Sequence, residues 1–310
     1  MRFRMKETDE SDLQNLSKLW NSGEVMKFVG FPDGLNYTEE KAQKWLEMTK
    51  KNKNAHHYSM YHKDQFLGEA FYTYTDGEKG IFDIKLTTDA RGKNVGYRAV
   101  CFLLDQLFHK TPVKVVTCDP HHLNTKAITL YKRCGFVYQH DLDYDGQKHL
   151  VMDLNKDTWT TLRLNSIHLE EITKDNYIEA VILKVSPEQT NFIAENVFSL
   201  AQSKYEEECI PKAIYANDNM VGFLMYSIKD SEDSLVWIYR LMIGNNYQGC
   251  GYGKKAMELI IPYLKSISKE NKIRISFEPE NEVAKNLYEK VGFISTEIVS
   301  GGEIIYEMTW

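Results

Sequence analysis

Apolar residues along this chain occur in two kinds of run: short alternating or continuous stretches, and longer ones whose apolar positions recur three and four apart. In the second half, Ile210–Ala216 and Val221–Ile228 flank the turn residues Asn217-Asp218-Asn219 and predict a hairpin, with Ser234–Ile243 as a third long strand. Tyr252–Ser266 predicts a helix, Ile273–Phe277 a short strand, Val283–Val291 a second helix, and Phe293–Val299 with Glu303–Met308 a closing strand pair. Upstream, residues 163–168 read as a strand. Ser186-Pro187-Glu188-Gln189 reads as an N-cap, an N1 proline and a capping-box glutamine, opening a helix to about Glu207. The first half repeats the order: strands near 55–62, 66–75, 80–87 and 113–118, helices near 95–109 and 124–134, and closing strands near 136–143 and 147–154. Such interleaving predicts an α/β fold, an α+β sandwich in which a mixed, mostly antiparallel sheet is flanked by helices.

The repetition extends to residue identity. Shifted by 157 residues, Gly92 falls on Gly249, Gly96 on Gly253, Asn124 on Asn281, Ala127 on Ala284, Leu130 on Leu287, Tyr131 on Tyr288, Gly135 on Gly292 and Phe136 on Phe293, without a gap. A tandem pair of homologous domains follows, over residues 1–158 and 163–310, with the joint near Asp157–Leu164.

Two glycine loops stand between a strand and a helix in register: Arg91-Gly92-Lys93-Asn94-Val95-Gly96-Tyr97 and Gln248-Gly249-Cys250-Gly251-Tyr252-Gly253-Lys254. Backbone N–H groups and the positive end of the following helix can receive a phosphate there, and glycine lets the backbone approach closely. Neither loop ends in Gly-Lys-Ser/Thr, and neither has dinucleotide-binding spacing. The loop pattern Gln/Arg-x-x-Gly-x-Gly, followed by Asn-x-x-Ala-x-x-Leu-Tyr-x-x-x-Gly-Phe, resembles the acetyl-CoA-binding region of the GNAT N-acetyltransferase superfamily in both halves. The second half is the fuller match. Leu183–Gln189 and Val236-Trp237-Ile238-Tyr239-Arg240 make it similar to bacterial spermidine/spermine acetyltransferases. The first half, through Trp20–Met26 and Ile84-Lys85-Leu86, is similar to the branch that acetylates ribosomal-protein N-termini. It departs at Asn94, where the family carries glycine; asparagine tolerates a left-handed backbone best after glycine, so the loop is expected to form.

The resemblance implies acetyl-CoA as co-substrate, held by both glycine loops, by Asn281 and Asn124, and by the third strands at Leu241-Met242-Ile243 and Ile84-Lys85-Leu86, where a backbone N–H can receive the oxyanion. It implies Tyr288 and Tyr131 as acids for the departing thiolate, a phenol being protonated at neutral pH; by packing alone each would be a core residue. The base stays open among Glu206, Glu207, Glu208, Tyr239 and Glu278. Glu206, Glu207 and Tyr239 are the expected acceptor-binding residues, for a polyamine or other small amine, an antibiotic amine or a peptide N-terminus. A further reading leaves one domain as a non-catalytic acetyl-CoA-binding module, and the tandem is expected to act as an intrachain pseudo-dimer.

Charge sharpens the acceptor reading. Residues 1–160 hold 23 Lys/Arg and 22 Asp/Glu, whereas residues 161–310 hold 15 and 22, so the acidity sits in the second half; by itself it reads as solubility, and as a binding surface it suits a cationic small molecule better than nucleic acid. Five scattered cysteines without a C-x-x-C pair indicate free thiols and no metal site, and His56-His57 and His121-His122 read as solvated. No window is apolar enough to span a membrane, and Met1–Glu7 lacks an apolar signal core, so a cytoplasmic protein without membrane partners is expected.

Overall fold

The computed structural model describes residues 4–75, 77–229 and 235–310; Ser234, expected within the third long strand, lies outside them. The chain divides into two compact units, Met1–Leu162 and Arg163–Trp310, each built on a seven-stranded sheet. The first unit runs β1 (Arg4–Glu7), α1 (Leu13–Trp20), the single turn α2 (Gly23–Met26), α3 (Glu39–Lys51), β2 (Ala55–His62), β3 (Gln65–Tyr74), β4 (Lys79–Leu86), α4 (Val95–Lys110), β5 (Val115–Cys118), α5 (Thr125–Arg133), β6 (Val137–Tyr144) and β7 (Gln147–Asn155). Helix α6 (Lys156–Asn165) spans the division. The second unit runs β8 (Ile167–Glu171), α7 (Tyr177–Ile182), α8 (Asn196–Tyr205), β9 (Cys209–Ala216), β10 (Asn219–Ser227), β11 (Val236–Ile243), α9 (Tyr252–Ile267), β12 (Lys272–Phe277), α10 (Glu282–Lys290), β13 (Ile294–Ser300) and β14 (Glu303–Thr309).

Strand order is β1-β2-β3-β4-β5-β7-β6 in one sheet and, element for element, β8-β9-β10-β11-β12-β14-β13 in the other. Only β4 with β5 and β11 with β12 pair in parallel; the remaining neighbours are antiparallel. The parallel pairs are joined by α4 and α9, the crossover a parallel connection requires. Helix α9 buries Tyr252, Ala256, Met257, Ile260 and Leu264, apolar residues at helical spacing worth about 1.5–3 kcal/mol for each fully buried large side chain. They pack on Val236 and Ile238 of one sheet face, while Ala213, Phe223, Met225 and Met242 form a second cluster. All five cysteines are free and buried. No helix of the described residues is long and apolar enough to cross a membrane.

Two expected elements differ. Residues 163–165 belong to α6, and the strand opens only at Ile167. Arg163, four residues after buried Trp159, is itself buried and donates to the Ala216 carbonyl at 2.5 Å, which holds it in helical phase. The helix expected from Ser186 to Glu207 is a 3-10 turn at Pro187–Gln189 and, after a break, α8. Ser186 makes no side-chain cap, and the Gln189 amide oxygen accepts from Gln248 Nε2 at 2.7 Å. The glutamine meant to close a capping box is therefore recruited by the glycine loop.

Candidate active site

In each domain the parallel strands pair over three residues and then part. Val236, Trp237 and Ile238 stand opposite Ile273, Arg274 and Ile275, as Lys79, Gly80 and Ile81 stand opposite Val115, Val116 and Thr117. Beyond that point the facing edges of β11 and β12 have no ladder partner, leaving backbone polar groups for a ligand. On its other edge β11 carries a bulge: Met225 pairs with Arg240 and Tyr226 with Ile238, so Tyr239 is an extra residue. β3 and β4 pair without such a shift. In the second domain an open cleft of about 1110 Å³ fills the divergence, lined by Tyr239 to Ile243, the glycine loop, the end of β12, α10, Glu303 and residues 190–194.

The two glycine loops have the same backbone. Gly249 and Gly251 have φ of 81° and 82°, and Gly92 and Asn94 have φ of 74° and 62°. Asn94 thus adopts the left-handed conformation that Gly251 adopts, as expected. Each of these residues starts a 16-residue helix that carries no side-chain cap, so its first N–H groups and positive end face an open cradle; a Cβ at Gly249 or Gly92 would meet no atom within 4 Å. These seats fit a diphosphate. Gln248 Nε2 also donates to the Ile243 carbonyl at 2.9 Å, tying the loop to β11. In the first domain Arg91 pairs with Glu24 at 3.0 Å, and Arg133 donates to Asn94 Oδ1 at 2.9 Å while lying over the Tyr97 ring. Gly253, Lys254 and Tyr252 line the cleft, whereas Cys250 packs in the core and can offer only backbone. Val95, Gly96 and Tyr97 are buried, and Lys93 is exposed.

Tyr288 and Tyr131 are placed alike. Asn281 and Asn124 accept from the N–H groups of Ala284 (3.1 Å) and Ala127 (3.2 Å) and so cap α10 and α5, and Asn281 also lines the cleft. Each tyrosine is more than nine-tenths buried, packed against Phe277 or Phe82 at 5.3 Å between ring centroids. Among the described residues neither hydroxyl has a hydrogen-bond partner. Burial first, then the charge of Glu303, pushes the Tyr288 phenol above its ordinary value; burial first, then neighbours that include Cys118 and Asp83, does the same for Tyr131. Both stay protonated at neutral pH and can act as proton donors.

The strand pairs beside the loops diverge. Gly68 opposite Leu86 matches Gly222 opposite Ile243, so Glu69 opposite Lys85 corresponds to Phe223 opposite Met242. Lys85 Nζ lies 3.1 Å from Glu69 and pairs with Asp83, so its side chain is committed and only its backbone can serve a cofactor. Glu69 also accepts from Trp20 Nε1 at 2.8 Å and meets His57 Nε2 at 2.8 Å, and His57 Nδ1 meets Thr8 Oγ1 at 2.7 Å. Burial would raise the Glu69 carboxyl, but Lys85, His57 and Trp20 outweigh it and hold it at about 2; the two carboxylates likewise hold Lys85 above its ordinary value against burial. His57 and His121, read as solvated, are both buried, because the first belongs to this network and the second meets Gln147 Oε1 at 3.0 Å. Among the described residues no group of three His, Cys, Asp or Glu could hold a metal ion.

Leu241, Met242, Ile243, Tyr239 and Glu278 line the second-domain cleft, but Glu206, Glu207 and Glu208 do not. They follow α8 exposed to solvent, where Glu206 accepts from Gln202 at 2.8 Å. Glu303 lines the cleft and was not anticipated from sequence, since only the pairing of β14 with β12 brings it there.

An acetyltransferase (GNAT) domain model matches residues 2–137, and an acetyltransferase (GNAT) family model matches residues 169–293. A spermine/spermidine N(1)-acetyltransferase of Bacillus subtilis (strain 168) is 32% identical over 133 residues, 41% of this chain and 88% of that protein. Among solved structures, a spermidine N-acetyltransferase from Vibrio cholerae in complex with CoA and spermine aligns at 16% identity and a TM-score of 0.46, covering 51% of this chain and 97% of that one. An aminoglycoside acetyltransferase in complex with coenzyme A aligns at 20% identity and 0.45, covering 52% and 98%. With a GNAT model matched in each half and such a relative spanned over most of its length, the chain belongs to the GNAT acetyltransferase family and carries two of its domains in tandem.

Proposed function

We propose that the second domain transfers the acetyl group of acetyl-CoA to a primary amine, with polyamines as the acceptor class. The observation that carries the reading is one cleft that gathers cations, carboxylates and a phenol. Lys254 and Lys290 line it at the glycine loop and α10, Arg240 lines it from β11, Glu278 and Glu303 line it just after β12 and at the start of β14, and the unpartnered Tyr288 hydroxyl lines it too. The cations suit phosphates, the carboxylates suit an ammonium group, and the phenol suits a departing thiolate. Acetyl-CoA supplies the activated thioester. The backbone of Leu241–Ile243, freed by the splay, is placed to receive the oxyanion, and the glycine loop to seat the diphosphate. The 32% identical relative, a spermine/spermidine acetyltransferase, supports the polyamine class. The exposed Glu206–Glu208 run takes no part in it.

For the first domain we propose a second acetyl-CoA site with a different acceptor, a peptide N-terminus being the class its sequence resemblance implies. The matching loop backbone supports the co-substrate, and the Lys85–Glu69 pair in place of Met242 and Phe223 supports the change of acceptor. The test is a panel of polyamines, aminoglycosides and peptide N-termini with acetyl-CoA, read by thiol release, beside calorimetry counting CoA sites. Two sites, with spermidine or spermine turned over, are expected. One site would leave the first domain without a co-substrate, and inert polyamines beside an active peptide would remove the polyamine class.

A further inference from the structure

We infer that Glu303, supplied by the last hairpin, takes the proton from the acceptor ammonium in the second domain. The inference rests on the acetyltransferase reading of that cleft and names the base within it. Ile304 pairs with Phe277 and Ile305 with Ser276, so residue 303 projects just past the point where β12 ends, into the mouth of the divergence. Its carboxylate accepts from the Ser276 hydroxyl, which fixes its orientation. No ion pair joins it to any cation of the described residues, so a half-buried negative charge is left for a ligand to balance. Its field reaches the hydroxyl of Tyr288, which lines the same cleft without a hydrogen-bond partner among the described residues. Glu278 lines the cleft too, but no hydrogen bond orients its carboxylate and its charge is not among the causes acting on Tyr288.

The proton balance closes with these two groups. An alkylammonium near pKa 10.4 is neutral in about one molecule in 2,500 at pH 7, so removing its proton is the first requirement. Glu303 accepts that proton and passes it to solvent. The amine nitrogen then bonds to the thioester carbon while the carbonyl electron pair moves to oxygen; as the pair returns, the C–S bond breaks and the thiolate takes the Tyr288 proton. The second nitrogen proton restores Tyr288, leaving an amide, a thiol and one proton in solution.

The experiment is steady-state kinetics of Glu303→Gln, Ser276→Ala and Glu297→Gln on the amine best used by the unaltered protein, with melting temperature and CoA affinity measured on each. Glu303→Gln should lower kcat/KM by about 100-fold or more, the usual size of a lost general base, while CoA affinity stays within about twofold. Ser276→Ala, which frees the carboxylate without removing it, should cost about 3- to 10-fold, a part of that loss. Glu297→Gln removes an exposed charge of the same hairpin and should change neither. Unaltered kcat/KM in Glu303→Gln overturns the inference and leaves the acetyltransferase reading standing. If Glu303→Gln fails to fold, full activity in Ser276→Ala overturns it. An unaltered protein that acetylates no amine overturns both.

Discussion

The two domains share a backbone and differ in what lies beside it. Gly92 and Asn94 repeat the left-handed turns of Gly249 and Gly251, and the tyrosines of α5 and α10 pack against the equivalent phenylalanines Phe136 and Phe293. On the neighbouring strands, however, Lys85 and His57 hold the buried Glu69 carboxylate where the second domain has Phe223 and Met242 in an apolar cluster. The difference teaches that the glycine loop is specified by main chain, which tolerates little change. The neighbouring strand pair is specified by side chains and differs between the domains.

The sharpest way to break the comparison is to give the first domain the second domain's residue. Lys85→Met leaves the Glu69 carboxylate buried with only His57 and Trp20, and should destabilise the first domain by about 3 kcal/mol, whereas Lys85→Met with Glu69→Phe should recover much of that loss. Hydrogen exchange should quicken in β2–β4 and hold in β9–β11. Because the folded Glu69 carboxyl lies at about 2, below its ordinary 4.5, its contribution is full above about pH 4.5 and is lost as pH falls toward 2, so acid should loosen the first domain in that window. Next, Tyr288→Phe should lower kcat on the second-domain amine by about 10- to 1,000-fold with CoA affinity unchanged, and Tyr131→Phe should leave that activity alone. In the unaltered protein, loss of the Tyr288 proton should cause no alkaline fall in rate before about pH 10, since burial and Glu303 hold that phenol above its ordinary value.

A smaller effect tests the loop. Asn94→Ala puts a side chain ill suited to φ of 62° into the first cradle and removes the Arg133 contact, costing about 1 kcal/mol of CoA affinity there, while Asn94→Gly stays near neutral. The smallest concerns charge. Raising salt from about 0.1 to 1 M shortens the Debye length from about 10 to 3 Å, so KM for spermine should rise about threefold and KM for a monoamine hardly at all.

What sequence disclosed was local. A glycine loop is a statement about φ, and the eight matched residues from Gly92 to Phe136 recorded it in both copies, together with the helices and the closing hairpins. What escaped depends on partners distant along the chain. Gln189 looked like a capping residue until Gln248, 59 positions away, claimed it, and the helix broke. Adjacent histidines looked solvated because nothing near His57 announces Glu69 across the strand pair. Glu206–Glu208 drew notice as a run, whereas Glu303, a single acid after two glycines, reaches the cleft only through the strand order β13-β14-β12. Tyr239 was named from its motif, but its extra position in β11 emerges only from the pairing with β10.

The shielded thiols set the terms on which this protein can be studied. All five are buried and so shielded from reagents, and Cys209 is also pushed up to about 12 by burial and then by its hydrogen bond to Glu206, which leaves that thiol almost without thiolate near neutrality. A disulfide reagent mixed with the native chain should therefore report released CoA over a nearly silent background. The same reagent in denaturant should titrate five equivalents, making colour development a count of unfolded molecules and giving every variant above its own check for intact structure.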